Sequence, residues 1–214
     1  MFLKKIDIGM TEQTPFHTAA QQLIAAGRFI DSKGWVPATS GNFSVRLPDG
    51  TIAITVSGKH KGHLHPDDIM LIDADANSLD GKKPSAETGL HTGIYRRFPD
   101  INAVLHPHPL NTVLVSKLFG TEIVLENYEL LKAFRGINTH ESRIVVPIFA
   151  NDQDIPRLAT QADAYLDTHP DCHAYIIAGH GLYTWGTSVE ETLRYLEALD
   201  FLFACELHLH GAQK

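Results

Sequence analysis

Apolar positions repeat at helical spacing in five segments of the chain. The pattern predicts helices over residues 14–34, 86–98, 154–169 and 188–210. Residues 110–119 fit a helix or a strand by period, and their position straight after a predicted strand favours a helix. Thr14 and Asp154 are predicted N-caps, and Ser188 with Glu191 forms the capping-box sequence that opens the last and longest helix. The second helix ends before Pro99, because proline cannot continue a helix.

Short apolar or alternating runs predict strands between these helices. Residues 42–47 and 51–56 flank the turn sequence at 48–50 and predict a β-hairpin. Further strands are predicted over residues 101–106, 142–149, 173–179 and 181–185. Strands that cluster in the middle of the chain, with helices around them, predict a single α/β domain with a mixed, largely antiparallel sheet.

Charge and composition restrict the function. The 214 residues include 18 Lys and Arg against 25 Asp and Glu, a net charge of −7. This balance argues against a nucleic-acid partner, although a few local donors still suffice for a small anion. No apolar run approaches the roughly 20 residues of a membrane span, and the N-terminal residues lack the apolar core of a signal peptide. With only two cysteines, too few for a disulfide framework, the chain is predicted to be cytoplasmic.

Thirteen histidines are the unusual feature of the composition. His106 and His108 end a predicted strand two residues apart, so their side chains point to one face of the sheet. Pro107 and Pro109 cannot donate to a ladder of hydrogen bonds, which predicts that the pair lies at a strand end or at a sheet edge. His180, in a glycine-flanked turn, is the candidate for the third ligand of a catalytic zinc-type site. The alternative is that each histidine is an ordinary, partly buried side chain.

Other polar residues allow two interpretations each. His60, His63 and His65 form a second cluster, which lysine neighbours predict to be a solvated loop rather than a set of ligands. Glu87, at a predicted helix start, is either an N-cap or a catalytic or metal-binding carboxylate. Glu129 is either a solvated helix residue or a general acid or base. Sequence spacing alone leaves both of these choices open.

Three segments in the first half of the chain carry small hydroxyl residues, and the first two also contain glycine. They cover residues 39–44, 56–59 and 84–87, and Lys59 adds a positive charge to the second. Backbone N–H groups and hydroxyls of this kind bind phosphate, although each segment alone also occurs in ordinary turns. Three of them together favour one shared anion site.

The order of five motifs resembles the class II aldolase/adducin family. The motifs are GNFS at 41–44, SGK at 57–59, KPSAE at 83–87, HPHP at 106–109 and GHGLYTWG at 179–186, followed by a long helix. The match runs from about residue 34 to residue 207. Residues 1–13 match nothing specific and are predicted to be a variable extension of a domain that spans 14–214.

The resemblance implies a three-layer α/β/α fold and a bound divalent metal, usually zinc. The implied metal ligands are His106, His108 and His180. The implied phosphate-binding residues are Gly41, Asn42, Ser57, Gly58 and Ser85. Family members commonly form tetramers with active sites close to subunit contacts, so a homotetramer is expected.

Within the family, residues 83–88, 128–134 and 180–202 most resemble the dehydratases of methionine salvage, whose substrate is 5-methylthioribulose 1-phosphate. The expected reaction removes water and yields 2,3-diketo-5-methylthiopentyl 1-phosphate. Glu129 matches the acid/base of these dehydratases, and Glu87 matches that of the family's aldolases. The alternatives are an aldolase that cleaves another ketose 1-phosphate and a non-catalytic adducin-like binding domain. The binding domain would have no need of the three histidines and Glu87.

Overall fold

A computed structural model describes residues 14–212 of the chain, so the predicted extension over residues 1–13 lies outside the described residues. The helices in the described part are α1 Pro15–Ser32, α2 Thr88–Arg97, α3 Leu110–Leu118, α4 Ile155–Thr168 and α5 Val189–Ala212. The strands are β1 Asn42–Arg46, β2 Ile52–Thr55, β3 Ile69–Ile72, β4 Ala103–His106, β5 Glu122–Glu126, β6 Arg143–Phe149, β7 Ala174–Ile177 and β8 Gly181–Gly186. Short 3-10 helices cover Lys61–His63, Pro66–Asp68 and Glu129–Ala133.

The strands form one sheet in the order β3-β2-β1-β4-β8-β7-β6-β5. Every neighbouring pair is antiparallel except β6 and β7, which run parallel. β1 and β2 form the predicted hairpin, whereas the sequence pattern assigned no strand to β3 or β5. The central strands β4 and β8 pair with each other, so their ends meet in the middle of the sheet.

Helices cover both faces of this sheet. α1, α3 and α5 pack on one face around a core that includes Leu23, Leu105 and Leu199. α2 and α4 pack on the other face around a second core that includes Ile94, Val104 and Leu158. The predicted single-domain, three-layer α/β/α fold with a mixed, mainly antiparallel sheet is confirmed.

Side-chain caps begin three of the helices where the sequence predicts them. Thr14 accepts a hydrogen bond from the His17 N–H, and Asp154 accepts one from the Arg157 N–H. Ser188 Oγ accepts the Glu191 N–H at 3.1 Å, which is one half of the predicted capping box. The other half differs, because the Glu191 carboxylate accepts from the backbone N–H of Thr187 at 2.7 Å.

Both cysteines of the chain are free thiols: Cys172 is buried and Cys205 is partly exposed. Burial raises the pKa of the Cys172 thiol to about 12. Within residues 14–212, none of the helices combines the length and the apolar character needed to cross a membrane.

Candidate metal centre

His106 and His108 lie where β4 ends beside β8. His106 is the last residue of β4 and is fully buried. Pro107 has no N–H to donate, but its carbonyl accepts the Leu182 N–H at 3.0 Å. The His108 N–H donates to the Trp35 carbonyl at 2.7 Å. These two hydrogen bonds fix the backbone of Pro107 and His108 just beyond the end of β4. The Nε2 atoms of His106 and His108 lie 3.0 Å apart.

His180 reaches this pair through a turn that requires glycine. Gly179, between β7 and β8, has φ +65°, in the left-handed region that glycine adopts readily. A Cβ at Gly181 would lie 2.6 Å from Cδ2 of His108 and 2.8 Å from Cε1 of His106. Because these two positions carry no side chain, His180 Nε2 approaches His106 Nε2 to 3.4 Å.

The three histidines form a donor set that fits a divalent ion. Their ligand atoms all lie within 4.8 Å of one another, and within residues 14–212 this is the one such group of metal-ligating side chains. Nδ1 of His106 lies 3.0 Å from the Leu182 carbonyl oxygen, which can only accept, so Nδ1 carries the proton. Nε2 of His106 therefore presents a lone pair. Imidazole nitrogens this close together need a proton or a metal ion between them.

Burial keeps the imidazoles of His106 and His108 in the form that binds metal. It holds the pKa of His106 well below the ordinary value, against the opposing attraction of the Glu87 carboxylate. Burial, together with the neighbouring His180, lowers the pKa of His108 to about 4. Both rings are therefore neutral at neutral pH and can donate a lone pair to a cation.

Glu87 lies beside the histidines. It occupies the N-cap position of α2, but its side chain makes no capping hydrogen bond and is directed toward the histidines instead. Oε1 lies 3.0 Å from Nε2 of His180, and Oε2 lies 3.5 Å from Nε2 of His106. Burial alone would raise the pKa of this carboxyl. The His180 hydrogen bond, the attraction of His106 and the Asn42 N–H outweigh burial and hold the pKa far below its ordinary value.

A cavity of about 280 Å³ adjoins the histidines and gathers the predicted phosphate-binding residues. Its lining residues are Thr39, Ser40, Gly41, Asn42, Val56, Ser57, Gly58, Ser85, Glu87 and His108. All five predicted positions are among them, and Glu87 and His108 belong to both the cavity wall and the histidine centre. A larger cleft of about 620 Å³, which includes Arg143 and His173, adjoins the start of β6 and of β7, away from this centre.

Two further residues were not singled out by the sequence analysis: Ser40, which lies within the predicted segment 39–44 and lines this cavity, and Lys61, which lies behind its wall. Ser40 Oγ is buried and has no hydrogen-bond partner among the described residues, so its hydroxyl is available to a ligand. Lys61 is 1% exposed, and its ammonium donates to the carbonyls of Thr39 and Lys59 at 3.0 and 2.6 Å. Burial lowers the pKa of Lys61 to about 8, against the attraction of the Glu87 carboxylate.

The segment around Lys61 is only partly the solvated loop that the sequence predicts. His60 is partly exposed, His63 and His65 are exposed, and all three lie outside the metal-ligating group. Lys59 forms a surface ion pair with Asp68 at 2.9 Å. Lys61 instead points inward within a 3-10 turn that packs on α1, and apolar Leu64 three residues later is the signal for that inward face.

Glu129 lies at the opposite end of the sheet from the histidines. It begins the third 3-10 helix, is exposed, and forms an ion pair with Lys132. The end of β6 aligns with the end of β7, which leads into the turn that holds His180. β5 runs antiparallel to β6, so the end of β5, and Glu129 just after it, point away from that turn. Within one chain, the structure does not bring Glu129 to the site.

Comparisons with known proteins agree with this geometry. Residues 21–207 match the family described as the class II aldolase and adducin N-terminal domain. The methylthioribulose-1-phosphate dehydratase of Methylococcus capsulatus is 64% identical over 201 residues, covering 94% of this chain and 98% of the relative. The enzyme of the same name from Pseudomonas syringae pv. tomato is 55% identical over 192 residues, covering 89% and 94%.

A solved structure gives the same result for the fold. The L-fuculose-1-phosphate aldolase of Thermus thermophilus superposes with a TM-score of 0.72 at 24% identity, covering 92% of this chain and 96% of the aldolase chain. The chain belongs to the class II aldolase and adducin family, as the order of its motifs predicts.

Proposed function

We propose that the chain is a lyase that removes water from 5-methylthioribulose 1-phosphate and forms 2,3-diketo-5-methylthiopentyl 1-phosphate in methionine salvage. The observation that carries this proposal is an ionised, partly buried Glu87 set between three converging histidines and an anion-sized cavity. The names of relatives that are 64% and 55% identical over nearly the whole chain support the same reaction.

The proposed cofactor is one zinc ion per subunit, held by His106, His108 and His180. Three histidine ligands that leave a position open are typical of catalytic zinc sites. When bound, the ion supplies Lewis-acid polarisation of the substrate carbonyl.

The cavity orients the substrate by its phosphate. Backbone N–H groups and hydroxyls of Gly41, Asn42, Ser57, Gly58 and Ser85 are proposed to bind it, as at other turns that bind anions. The buried ammonium of Lys61 lies behind the same wall, since it donates to the carbonyl of Thr39, a lining residue. A phosphate fixed there places the next carbons of the sugar toward Glu87 and the histidines.

Dehydration requires two proton transfers, and carboxylates of this chain are proposed to perform them. The C3–H bond breaks, its electrons form a double bond to C4, and the C4 hydroxyl leaves with a proton as water. The resulting enol tautomerises to the 2,3-diketone. Glu87, ionised and partly buried beside the histidines, is positioned to exchange a proton with substrate there. Glu129 is the proposed second acid/base.

Glu129 can act at this site only if a second copy of the chain supplies it, because it lies at the opposite end of the sheet in its own chain. We therefore propose a homotetramer in which active sites lie at subunit contacts. The two free cysteines suit the reducing cytoplasm that we propose as its compartment.

The experiment that tests this function separates dehydration from aldol cleavage. Purified protein is incubated with zinc and 5-methylthioribulose 1-phosphate, and both the diketone and any released aldehyde are measured. The proposal expects diketone without aldehyde. Aldehyde release would instead indicate an aldolase, the reaction of the structural relative named above, and no reaction would favour a binding domain.

A further inference from the structure

A row of five polar side chains alternates between α2 and β1 beneath the candidate metal centre. Glu87, at the N-cap of α2, is followed at four-residue spacing by His91 and Tyr95 on the same face of that helix. Asn42 and Ser44 lie two residues apart and share one face of β1. The side chains of Asn42, His91, Ser44 and Tyr95 are each at most 4% exposed.

Hydrogen bonds join these side chains in one unbroken line. Asn42 Nδ2 lies 2.7 Å from Glu87 Oε2, and Asn42 Oδ1 contacts His91 Nε2. His91 Nδ1 lies 2.7 Å from Ser44 Oγ, which in turn lies 2.8 Å from the Tyr95 hydroxyl. The line therefore leads from Tyr95, through both elements, to the carboxylate beside the histidines.

The chemistry of each group fixes the direction in which every proton points. The Glu87 carboxylate can only accept, so the amide nitrogen of Asn42 faces it and the amide oxygen faces His91. His91 must then donate from Nε2, which leaves Nδ1 as an acceptor for the Ser44 hydroxyl. Because Ser44 has one proton, its oxygen accepts from Tyr95. Burial supports this assignment, since it lowers the pKa of His91 to about 4 and keeps the ring neutral.

We propose that Tyr95, Ser44, His91 and Asn42 are positioning residues, whose one-directional chain of hydrogen bonds holds Oε2 of Glu87 and presents Oε1 to the substrate. This inference rests on the proposed function of Glu87 as an acid/base. Oε1 is the oxygen that lies 3.0 Å from His180, while Oε2 accepts from Asn42. Each bond in such a chain polarises and orders the next, so Tyr95 acts on Glu87 without touching it.

Substitutions along the chain test its role in turnover. His91→Leu interrupts it, and Tyr95→Phe removes only its terminal hydroxyl. We expect kcat to fall, roughly tenfold or more for His91→Leu and less for Tyr95→Phe, with KM and bound metal unchanged. His91→Gln, whose amide can both donate and accept, should recover most of the lost kcat. Tyr175→Phe is the matched control, because this buried tyrosine hydroxyl has no hydrogen-bond partner among the described residues.

Three results would overturn the proposal. They are an unchanged kcat in both His91→Leu and Tyr95→Phe, an equal loss in His91→Gln and His91→Leu, and a loss confined to KM or to bound metal. Tyr95→Phe keeps the test decisive if His91→Leu fails to fold, because it deletes a single oxygen.

A spectroscopic measurement separates this inference from the proposed reaction. The nitrogen NMR shifts of the His91 ring in the whole protein should report a neutral Nε2–H tautomer with Nδ1 as acceptor, and Tyr95→Phe should shift the Nδ1 signal. A charged ring or an Nδ1–H tautomer would contradict the chain. The expected tautomer in a protein without dehydratase activity would instead reject the proposed function and leave the chain standing.

Discussion

Lys61 places a buried positive charge behind the wall of the proposed phosphate cavity. Its ammonium joins the two loops of the cavity through the Thr39 and Lys59 carbonyls. Desolvation destabilises the charged form, and the cost is visible in a pKa lowered to about 8. A bound phosphate would offset this cost, so the residue is suited to a site that is filled by an anion.

We predict that Lys61→Met raises KM for the phosphorylated substrate by about fivefold or more, the effect of roughly 1 kcal/mol of attraction. In the unsubstituted protein, KM should also rise as pH increases through about 8, because the ammonium loses its proton above its pKa. The substitution should abolish that rise. KM is measured as a function of pH for both proteins.

Lys59→Met is the matched control for this prediction. The Lys59 ammonium pairs with Asp68 at the surface, so its removal should leave KM nearly unchanged at each pH. If the two substitutions raised KM equally, the effect would come from the overall positive charge of the loop and not from Lys61 in particular. That result would contradict the proposed role of Lys61.

The sequence predicts some of these single-residue roles and not others. The spacing of His106 and His108 and the glycines around His180 are local features, and the structure brings the three residues together. The orientation of Glu87 depends on Asn42, which lies on a different element, so spacing along one helix could not decide it. Which histidines and carboxylates act in catalysis stays a prediction from the resemblance.

β8 is the element that closes the candidate metal centre. Its first residue, Gly181, packs against His106, His108 and the carbonyl of Pro107, where a Cβ would come within 2.8 Å of each. The Pro107 carbonyl is backbone and cannot rotate away, so any side chain at Gly181 must displace the strand end that carries the histidines.

We predict that Gly181→Ala weakens metal binding by about tenfold or more, since shifts in the shell around a metal commonly cost that much. The measurement is metal content after dialysis, together with the thermal unfolding midpoint. Gly211→Ala is the control, because a Cβ there meets nothing within 4 Å. Full metal retention in Gly181→Ala would show that the strand end adapts, contrary to this account.

Elements with strong local signals were predictable, and elements without them were not. Caps at Thr14, Asp154 and Ser188 mark three helix starts, and the alternation around residues 48–50 marks the hairpin. β3 is a short apolar run between two turns, and β5 comes soon after α3. In neither segment does the sequence of apolar and polar residues distinguish a strand from a loop. Their pairing partners decide their structure: β3 pairs with β2 and β5 pairs with β6, and neither pairing can be read from the short run itself.

At the scale of the molecule, the two proposed catalytic carboxylates lie at opposite ends of one sheet. Glu87 lies at the end of β4 with the histidines, and Glu129 follows the end of β5 at the other end. A site that uses both must combine two copies of the chain. The proposed role of Glu129 therefore requires the proposed oligomer, which the family resemblance also leads us to expect.

We predict that mixing two inactive variants restores activity. His106→Ala should lose metal, and Glu129→Gln should keep metal but lose turnover by about 10² or more. In reassembled mixed oligomers, about one site in four combines an intact histidine centre with an intact Glu129 from a neighbour. Activity is measured after the mixture is dissociated and reassembled. No recovery from well-formed mixed oligomers would show that Glu129 does not act across a subunit contact.

The central claim is that three histidines hold a metal ion on which dehydration depends. The most direct measurement is diketone formation from 5-methylthioribulose 1-phosphate by chelator-treated protein, before and after titration with zinc, with bound metal determined by elemental analysis. We predict no turnover without metal and full recovery at one ion per chain, with no recovery in His106→Ala. Undiminished dehydration by protein that contains no metal would contradict the account.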